Sequence, residues 1–307
     1  MTIRAYVEDW VYADDGTKSF RPKGSTPYSC GSWIHLAPEE FELPPGADRA
    51  VRYTMTTPAD FRGGRYAVIF FESTIGQSKN PEGSLVRVAG RIGSIVYLEA
   101  AGLSRREVVL ERFEASPPAG QHPLRFVATV TNRGSVHATG EGIVNLLNAQ
   151  GDFVGKQALP QIRVLPNDTR RVELAWPSSL APGRYSAVLT VDFRMAEPLV
   201  GEADVTIIAA AEVELPAYDP ATHELSVTLV NHGDVPVQLT GTVSATQAPT
   251  GTVTGRWEVA GETLLPRTDA TLTFRSKQPW PSGRYRINVR LEGSGLTLAR
   301  EETLLVE

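Results

Sequence analysis

Three copies of the tripeptide Gly-Arg-Tyr divide the chain, at Gly64-Arg65-Tyr66, Gly183-Arg184-Tyr185 and Gly283-Arg284-Tyr285. Each copy follows a turn rich in proline or glycine and opens a run of β-forming residues, a pattern typical of a strand. Asn132-Arg133-Gly134 returns 99 residues later as Asn231-His232-Gly233, and the second Gly-Arg-Tyr returns 100 residues later as the third. Two motifs that recur at the same spacing indicate an internal repeat. We therefore predict three similar β-domains.

The spacing of strand and turn signals indicates the fold class. Turn residues interrupt the alternating runs about every 8–12 residues, helical periodicity is absent, and a repeat of about 100 residues has the size of an immunoglobulin-like sandwich. We predict an all-β fold of three tandem immunoglobulin-like β-sandwich domains, at residues 1–103, 107–208 and 211–307. In domain one we expect a turn at Asp14-Asp15, a long loop over 17–32, and a bulge or bend at Gly90 or Gly93 in the last strand.

The tyrosine of each Gly-Arg-Tyr motif has two interpretations. Its position after a Pro- or Gly-containing corner predicts a tyrosine corner, in which the hydroxyl bonds to the backbone across a connection. The alternative, an aromatic binding platform, requires the three rings to be exposed. Recurrence at one place in each domain favours the structural interpretation.

Composition excludes several classes of partner. The 307 residues carry a formal net charge of −5, and no cluster of Lys and Arg favours binding to nucleic acid or to anionic lipid. The single cysteine, Cys30, permits no disulfide within the chain. No apolar run is long enough for a transmembrane segment, and the N-terminal residues do not have the pattern of a signal peptide.

The patterns of enzyme active sites are also missing from the sequence. The five histidines lack metal-ligand spacing, and neither a phosphate-binding glycine loop nor a G-x-S-x-G elbow occurs. Cys30 lies in a Ser/Gly/Pro loop, where nothing local would lower the pKa of its thiol. We therefore expect no enzyme activity, no metal and no cofactor.

What remains is the chemistry of an exposed sheet edge, whose unpaired N–H and C=O groups can pair with a partner strand. The best candidate is the last strand of domain one, around Leu85–Leu98. By alternation its even-numbered apolar residues, from Val86 to Leu98, share one face, and Arg87 and Arg91 lie on the other. The predicted partner-binding residues are Val86, Val88, Arg91, Ile92 and Val96. The alternative is an internal strand with an ordinary core face.

The run Pro38-x-x-Phe41-x-Leu43-x-Pro45-Gly46, followed by Val51-Arg52 and Pro58-Ala59-Asp60, resembles the N-terminal domain of periplasmic pilus-assembly chaperones. Domains two and three resemble bacterial adhesion-type immunoglobulin-like modules, through Val130-x-Asn132-x-Gly134 and Pro182-Gly183-x-Tyr185. The first resemblance implies that the strand around Leu85–Leu98 is lent to an incomplete pilus subunit. It also implies that Arg91 lies near one of two basic residues that hold the subunit's C-terminal carboxylate.

Proteins of the chaperone family have two further strands before the one that begins here at Ile3. The resemblance therefore leaves three alternatives: an internal start, a trimmed chain, or an incomplete sandwich whose groove needs a donor strand. The three-domain layout also differs from the two domains of the chaperones.

From these observations we predict a non-enzymatic protein of the periplasm or cell surface that binds a protein partner by strand complementation, with a chaperone-like or surface-assembly role. The partner would be a pilus-like subunit or a second copy of the chain. The alternative is a structural or adhesive rod with spacer domains. A glycan-binding module ranks last, because the five tryptophans are scattered over three domains.

Overall fold

The computed structural model describes residues 1–13, 16–79, 85–248 and 250–307, with only the backbone at 75, 77–79 and 85–87. Within these residues the regular structure is all β apart from a single 3₁₀ turn at Gly31–Trp33, which confirms the predicted fold class. The predicted turn at Asp14-Asp15 lies outside the described residues. The strands of each sheet come from within one predicted domain.

Domain one has a large sheet and a small one. The large sheet has the order β2-β1-β6-β7, with β4 paired to the start of β1, and the small sheet pairs β3 with β5. All pairs are antiparallel. The strands are β1 (Thr2–Tyr12), β2 (Lys18–Arg21), β3 (Ile34–Ala37), β4 (Glu40–Glu42), β5 (Arg52–Met55), β6 (Gly64–Lys79) and β7 (Leu85–Glu99).

Strand β6, which opens with the first Gly-Arg-Tyr motif, is buried on both faces over its first half. Val68 packs with Trp10 in one apolar cluster, whereas Ile69 packs with Ile34 in a second cluster under the small sheet. A strand that is covered on both faces has a continuous run of apolar residues, as in Tyr66 to Phe71.

Two expectations for domain one are wrong. The loop predicted over 17–32 contains β2, because Ser19 and Phe20 pair with β1. The irregularity predicted at Gly90 or Gly93 lies instead in β6, where the register shifts between Thr74 and Gly76. Gly93 serves packing, since a Cβ there would lie 2.8 Å from the Phe70 ring.

Domain two is a sandwich of two antiparallel sheets. One sheet has the order β11-β10-β14-β15, with β12 paired to β10, and the other has the order β13-β9-β8. The strands are β8 (Val108–Ser116), β9 (Arg125–Asn132), β10 (Ala138–Asn148), β11 (Phe153–Ala158), β12 (Ile162–Val164), β13 (Thr169–Ala175), β14 (Gly183–Asp192) and β15 (Leu199–Ile207).

Domain three repeats this arrangement. One sheet has the order β20-β19-β22-β23, and in the other β18 is flanked by β16 and β17 on one side and by β21 on the other. The strands are β16 (Ala211–Val213), β17 (Ala217–Asp219), β18 (Glu224–Asn231), β19 (Val237–Ala248), β20 (Thr252–Leu264), β21 (Asp269–Arg275), β22 (Gly283–Gly293) and β23 (Leu296–Val306).

The repeated Asn-x-Gly motif has the same structural role in both of these domains. The amide of Asn132 donates to the carbonyls of Val136 and Val164, and its Oδ1 accepts the N–H of Gly134. The amide of Asn231 makes equivalent bonds in domain three. Both side chains are buried, so the motif holds the turn after the central strand of the sheet in place.

The junctions between domains are hydrogen-bonded. Gly64 donates its N–H to the Ser135 carbonyl at 2.7 Å, across the first junction. At the second junction, buried Asp234 accepts the N–H of Ile208 at 3.0 Å and pairs with Arg267 at 2.9 Å. Hydrogen bonds therefore join the neighbouring domains at each junction.

Candidate functional site

Strand β7 is the outer strand of the large sheet in domain one, and in the described residues it pairs with β6 alone. Ala100 donates its N–H to the Gly63 carbonyl, whereas the N–H and C=O of Tyr66 are used by Tyr28 and Cys30 on the other side of β6. Because hydrogen-bonded and non-hydrogen-bonded pairs alternate in an antiparallel ladder, the register fixes which groups of β7 face outward. The residues with outward N–H and C=O groups are Arg91, Gly93, Ile95 and Tyr97.

The predicted apolar residues of β7 differ in exposure. Ile92 is 78% exposed and Val88 is 47% exposed. Val96, farther along the same face, is half-buried against the cluster that contains Ile34 and Ala67. The side chain of Val86 lies outside the described residues. The structure therefore places Val88 and Ile92 on an open part of the face and Val96 at its covered end.

Arg91 lies on the opposite face, as predicted, and is held within its own sheet. Its guanidinium lies 3.2 Å from the Glu8 carboxylate and 3.3 Å from the Tyr6 hydroxyl. It also lies 4.1 Å from the centre of the Phe70 ring, a cation–π distance. The bond to Tyr6 and the charge of Glu8 raise the pKa of Arg91. Its role in partner binding remains a prediction.

The three Gly-Arg-Tyr tyrosines do not all behave alike. The hydroxyls of Tyr185 and Tyr285 donate to the carbonyls of Ala181 and Pro281, at 2.8 and 2.7 Å. These bonds confirm the tyrosine corner in domains two and three. In domain one the expectation is wrong, because the Tyr66 hydroxyl accepts the backbone N–H of His137 at 2.5 Å and so bridges to domain two.

Tyr66 belongs to an aromatic cluster at the first junction, which the sequence did not reveal. Trp10, Tyr12 and Tyr97 surround His137, with the Tyr97 and His137 rings 5.3 Å apart. The Tyr12 hydroxyl bonds to Nε2 of His137 at 3.0 Å. Alternation along β1 could have placed Trp10 and Tyr12 near one another, but nothing local in the sequence brings His137 to them.

Burial changes the titration of this cluster. Desolvation lowers the pKa of His137 to about 4, assisted by the positive charges of Arg163, Lys18 and Arg106. Desolvation also raises the pKa of Tyr12 and of Tyr66 well above their ordinary value. At neutral pH the junction therefore contains a neutral imidazole among neutral phenols.

Cys30 is fully buried, and burial raises the pKa of its thiol to about 11. In the part of the chain that the structure describes, no group of three or more His, Cys, Asp or Glu residues is placed to hold a metal ion. The described residues also contain no helix that is long and apolar enough to cross a membrane.

No protein-family model matches the chain, and no curated protein matches it. Among solved structures, the chain is similar to a complex of a chaperone and a tip adhesin of CFA/I fimbriae, at 13% identity and a TM-score of 0.36, over 66% of this chain and 84% of that one. It is also similar to a tetra-tandem repeat from the extending region of a large adhesion protein, at 14% identity and a TM-score of 0.27, over 100% and 66% of the two chains.

A red sea bream transglutaminase matches at 11% identity and a TM-score of 0.30 over 66% of this chain. The match spans only 31% of the transglutaminase. With TM-scores below 0.5, these similarities say nothing about activity or partner.

Proposed function

We propose that the chain is a non-enzymatic protein of the cell envelope whose first domain binds a protein partner by β-strand complementation at β7. Its role is chaperone-like or in the assembly of surface structures. The observation that supports the proposal is that no described residue pairs with the outer edge of β7, beside which Ile92 is exposed.

The backbone of β7 supplies the affinity in this proposal. Arg91, Gly93, Ile95 and Tyr97 direct N–H and C=O groups outward, and each bond to a partner strand contributes about 0.5–1.5 kcal/mol net. Edge strands are usually blunted by charged side chains. Here Glu8 draws the charge of Arg91 back over the sheet, and the next residue is the exposed Ile92. The edge therefore keeps an apolar side chain beside open backbone groups.

A synthetic peptide of alternating valine and threonine, flanked by lysine for solubility, tests this edge by fluorescence anisotropy. Strand pairing uses alternate peptide amides, so N-methylation of one alternate set should abolish binding and N-methylation of the other should leave it unchanged. Ile92→Lys should weaken binding about fivefold, through the loss of one cross-strand contact of about 1 kcal/mol.

The matched control is Ile143→Lys, a substitution at an isoleucine that is 43% exposed on β10. Strand β10 is paired on both sides, so this change should not affect binding. Equal weakening by both substitutions, equal loss with either methylated set, or no binding at all would contradict strand complementation at β7.

The structural or adhesive rod remains the second candidate, and the bonded junctions favour it. Ser135 accepts the N–H of Gly64, and Asp234 ties Ile208 to Arg267. A rod requires domains that keep a constant orientation in solution. Residual dipolar couplings from the full chain should then fit a single alignment tensor for all three domains, and three different tensors would contradict the rod.

A further inference from the structure

Among the described residues, domain one has another unpaired sheet edge besides that of β7, on β5 of the small sheet. Thr56 donates its N–H to the Trp33 carbonyl, so alternation directs the N–H and C=O groups of Thr54 and Arg52 toward β3 as well. The groups of Tyr53 and Met55 face the other way. Within the part of the chain that the structure describes, no strand pairs with β5 on that side.

Core-facing side chains beside this edge are exposed. Met55 packs against the cluster under the small sheet, and Tyr53 shares its face by alternation, yet Tyr53 is 57% exposed. On the facing sheet, Val96 packs against the same cluster, while Ile92 on the same face is 78% exposed. Apolar residues that point inward from both sheets are thus uncovered. We call the space between Tyr53, Met55 and Ile92 the β5 groove.

In domains two and three, a strand pairs with the equivalent of β5 and covers the inward face of the sandwich beside it. Strands β5, β13 and β21 are equivalent, since each immediately precedes a Gly-Arg-Tyr strand. Strand β13 pairs with β9 and β21 pairs with β18, both antiparallel. The inward residues of these two partner strands are at most 1% exposed; they are Phe126, Ala128, Val130, Leu225, Val227 and Leu229.

We infer that the β5 groove binds an extended polypeptide segment that pairs antiparallel with β5 and inserts apolar side chains at alternate positions. The proposal concerns a different edge from β7 and does not depend on pairing there. Hydrogen bonds to Tyr53 and Met55 set the register, and the inserted side chains cover the exposed faces of Tyr53 and Ile92.

Charge further defines the segment. Arg52 points away from the core by alternation and is exposed. In domain three, Glu224 at the start of β18 lies opposite Arg275 at the end of β21. In domain two, Arg125 and Glu173 form an ion pair of opposite sense between β9 and β13. The segment should therefore carry an acidic residue opposite Arg52 and polar residues at its other outward positions.

Strand β18 has the inward apolar residues that such a segment needs, at Leu225, Val227 and Leu229. A synthetic peptide of residues 223–231 is therefore a suitable probe. With the full chain isotopically labelled, amide hydrogen exchange by NMR reports pairing at single residues. At a peptide concentration about ten times its Kd, exchange of the Tyr53 and Met55 amides should slow about tenfold. The control peptide replaces Leu225, Val227 and Leu229 by serine, and it should give no protection.

A covalent fusion of the same segment to the chain removes the dependence on the affinity of the free peptide. Residues 223–231 are fused before Met1 through a five-residue glycine-serine linker, the length that separates β18 from β19. The fused chain should protect the same two amides and should unfold at a higher urea concentration than a fusion carrying the serine control segment.

The pattern of amide protection distinguishes pairing at β5 from pairing at β7. Protection of Tyr53 and Met55 without change at Gly93 and Tyr97 supports the β5 groove. Protection confined to Gly93 and Tyr97 would overturn the groove and favour pairing at β7. Equal stability of the two fusions, with no protection at β5, would also overturn it.

Discussion

The pKa of His137 leads to a quantitative prediction for the first domain junction. Its imidazole is half-buried between the domains, bonded to the Tyr12 hydroxyl and close to the rings of Trp10 and Tyr97. Protonation would place a charge in this aromatic cluster, near the cations that already lower its pKa. Acid should therefore destabilise the junction.

The sign and size of this pH effect follow from the linkage between proton binding and unfolding. The pKa is about 4 in the folded protein, against 6.5 in the unfolded chain, so the unfolded state binds more protons between these values. The free energy of unfolding thus falls as the pH drops from about 6.5 to about 4 and is unaffected by this group above that range. At about 1.4 kcal/mol per pKa unit, the loss reaches about 3 kcal/mol.

NMR titration of the His137 imidazole measures the pKa directly, and urea unfolding at pH 7.5 and pH 4.5 measures the linked free energy. The carboxylates contribute equally in the wild type and in a His137→Gln variant, so the variant should lose about 2.5 kcal/mol less between these two pH values. The control is His35→Gln, at an exposed imidazole on β3, which should behave as wild type. Titration of His137 near 6.5, or parallel pH profiles for His137→Gln and wild type, would refute the reasoning.

Three further predictions concern stability and reactivity. Tyr285→Phe removes the bond to the Pro281 carbonyl and should lower the free energy of urea unfolding by about 1 kcal/mol; no change would exclude a stabilising corner. Asp234→Ala leaves the Ile208 N–H without its hydrogen-bond acceptor and should lower the free energy of unfolding by about 2 kcal/mol in the same assay. The exposed Asp269→Ala should not change it measurably. Cys30, whose buried thiol has its pKa raised to about 11, should react with iodoacetamide at pH 8 only after unfolding; fast labelling of the folded chain would contradict its burial.

Features that repeat, or that depend on alternation, could be predicted from the sequence. The Asn-x-Gly and Gly-Arg-Tyr spacings indicated similar domains, and the all-β class followed from the turn signals. Alternation also placed Ile92 and Arg91 on opposite faces of β7. These features depend on neighbours within one or two strands, which local sequence encodes well.

Features that depend on distant pairing could not be predicted. Tyr66 looks like its two equivalents, but its hydroxyl meets His137 because domain two docks there. Arg91 is engaged by Glu8, which is 83 residues away in the sequence. The register shift in β6 lies beside Gly76, and a glycine within a strand often marks a bulge. Gly90 and Gly93 of β7 carry the same signal, so the local sequence does not say which strand of the hairpin bulges.

An open edge on β7 is tested most directly by amide hydrogen exchange in the free full-length chain. If the edge is unpaired, the outward amides of Gly93, Ile95 and Tyr97 exchange quickly, while the amides of Ser94 and Val96, which bond to β6, exchange slowly. Strong protection of both sets would mean that the edge is already paired in solution and would contradict strand complementation at β7.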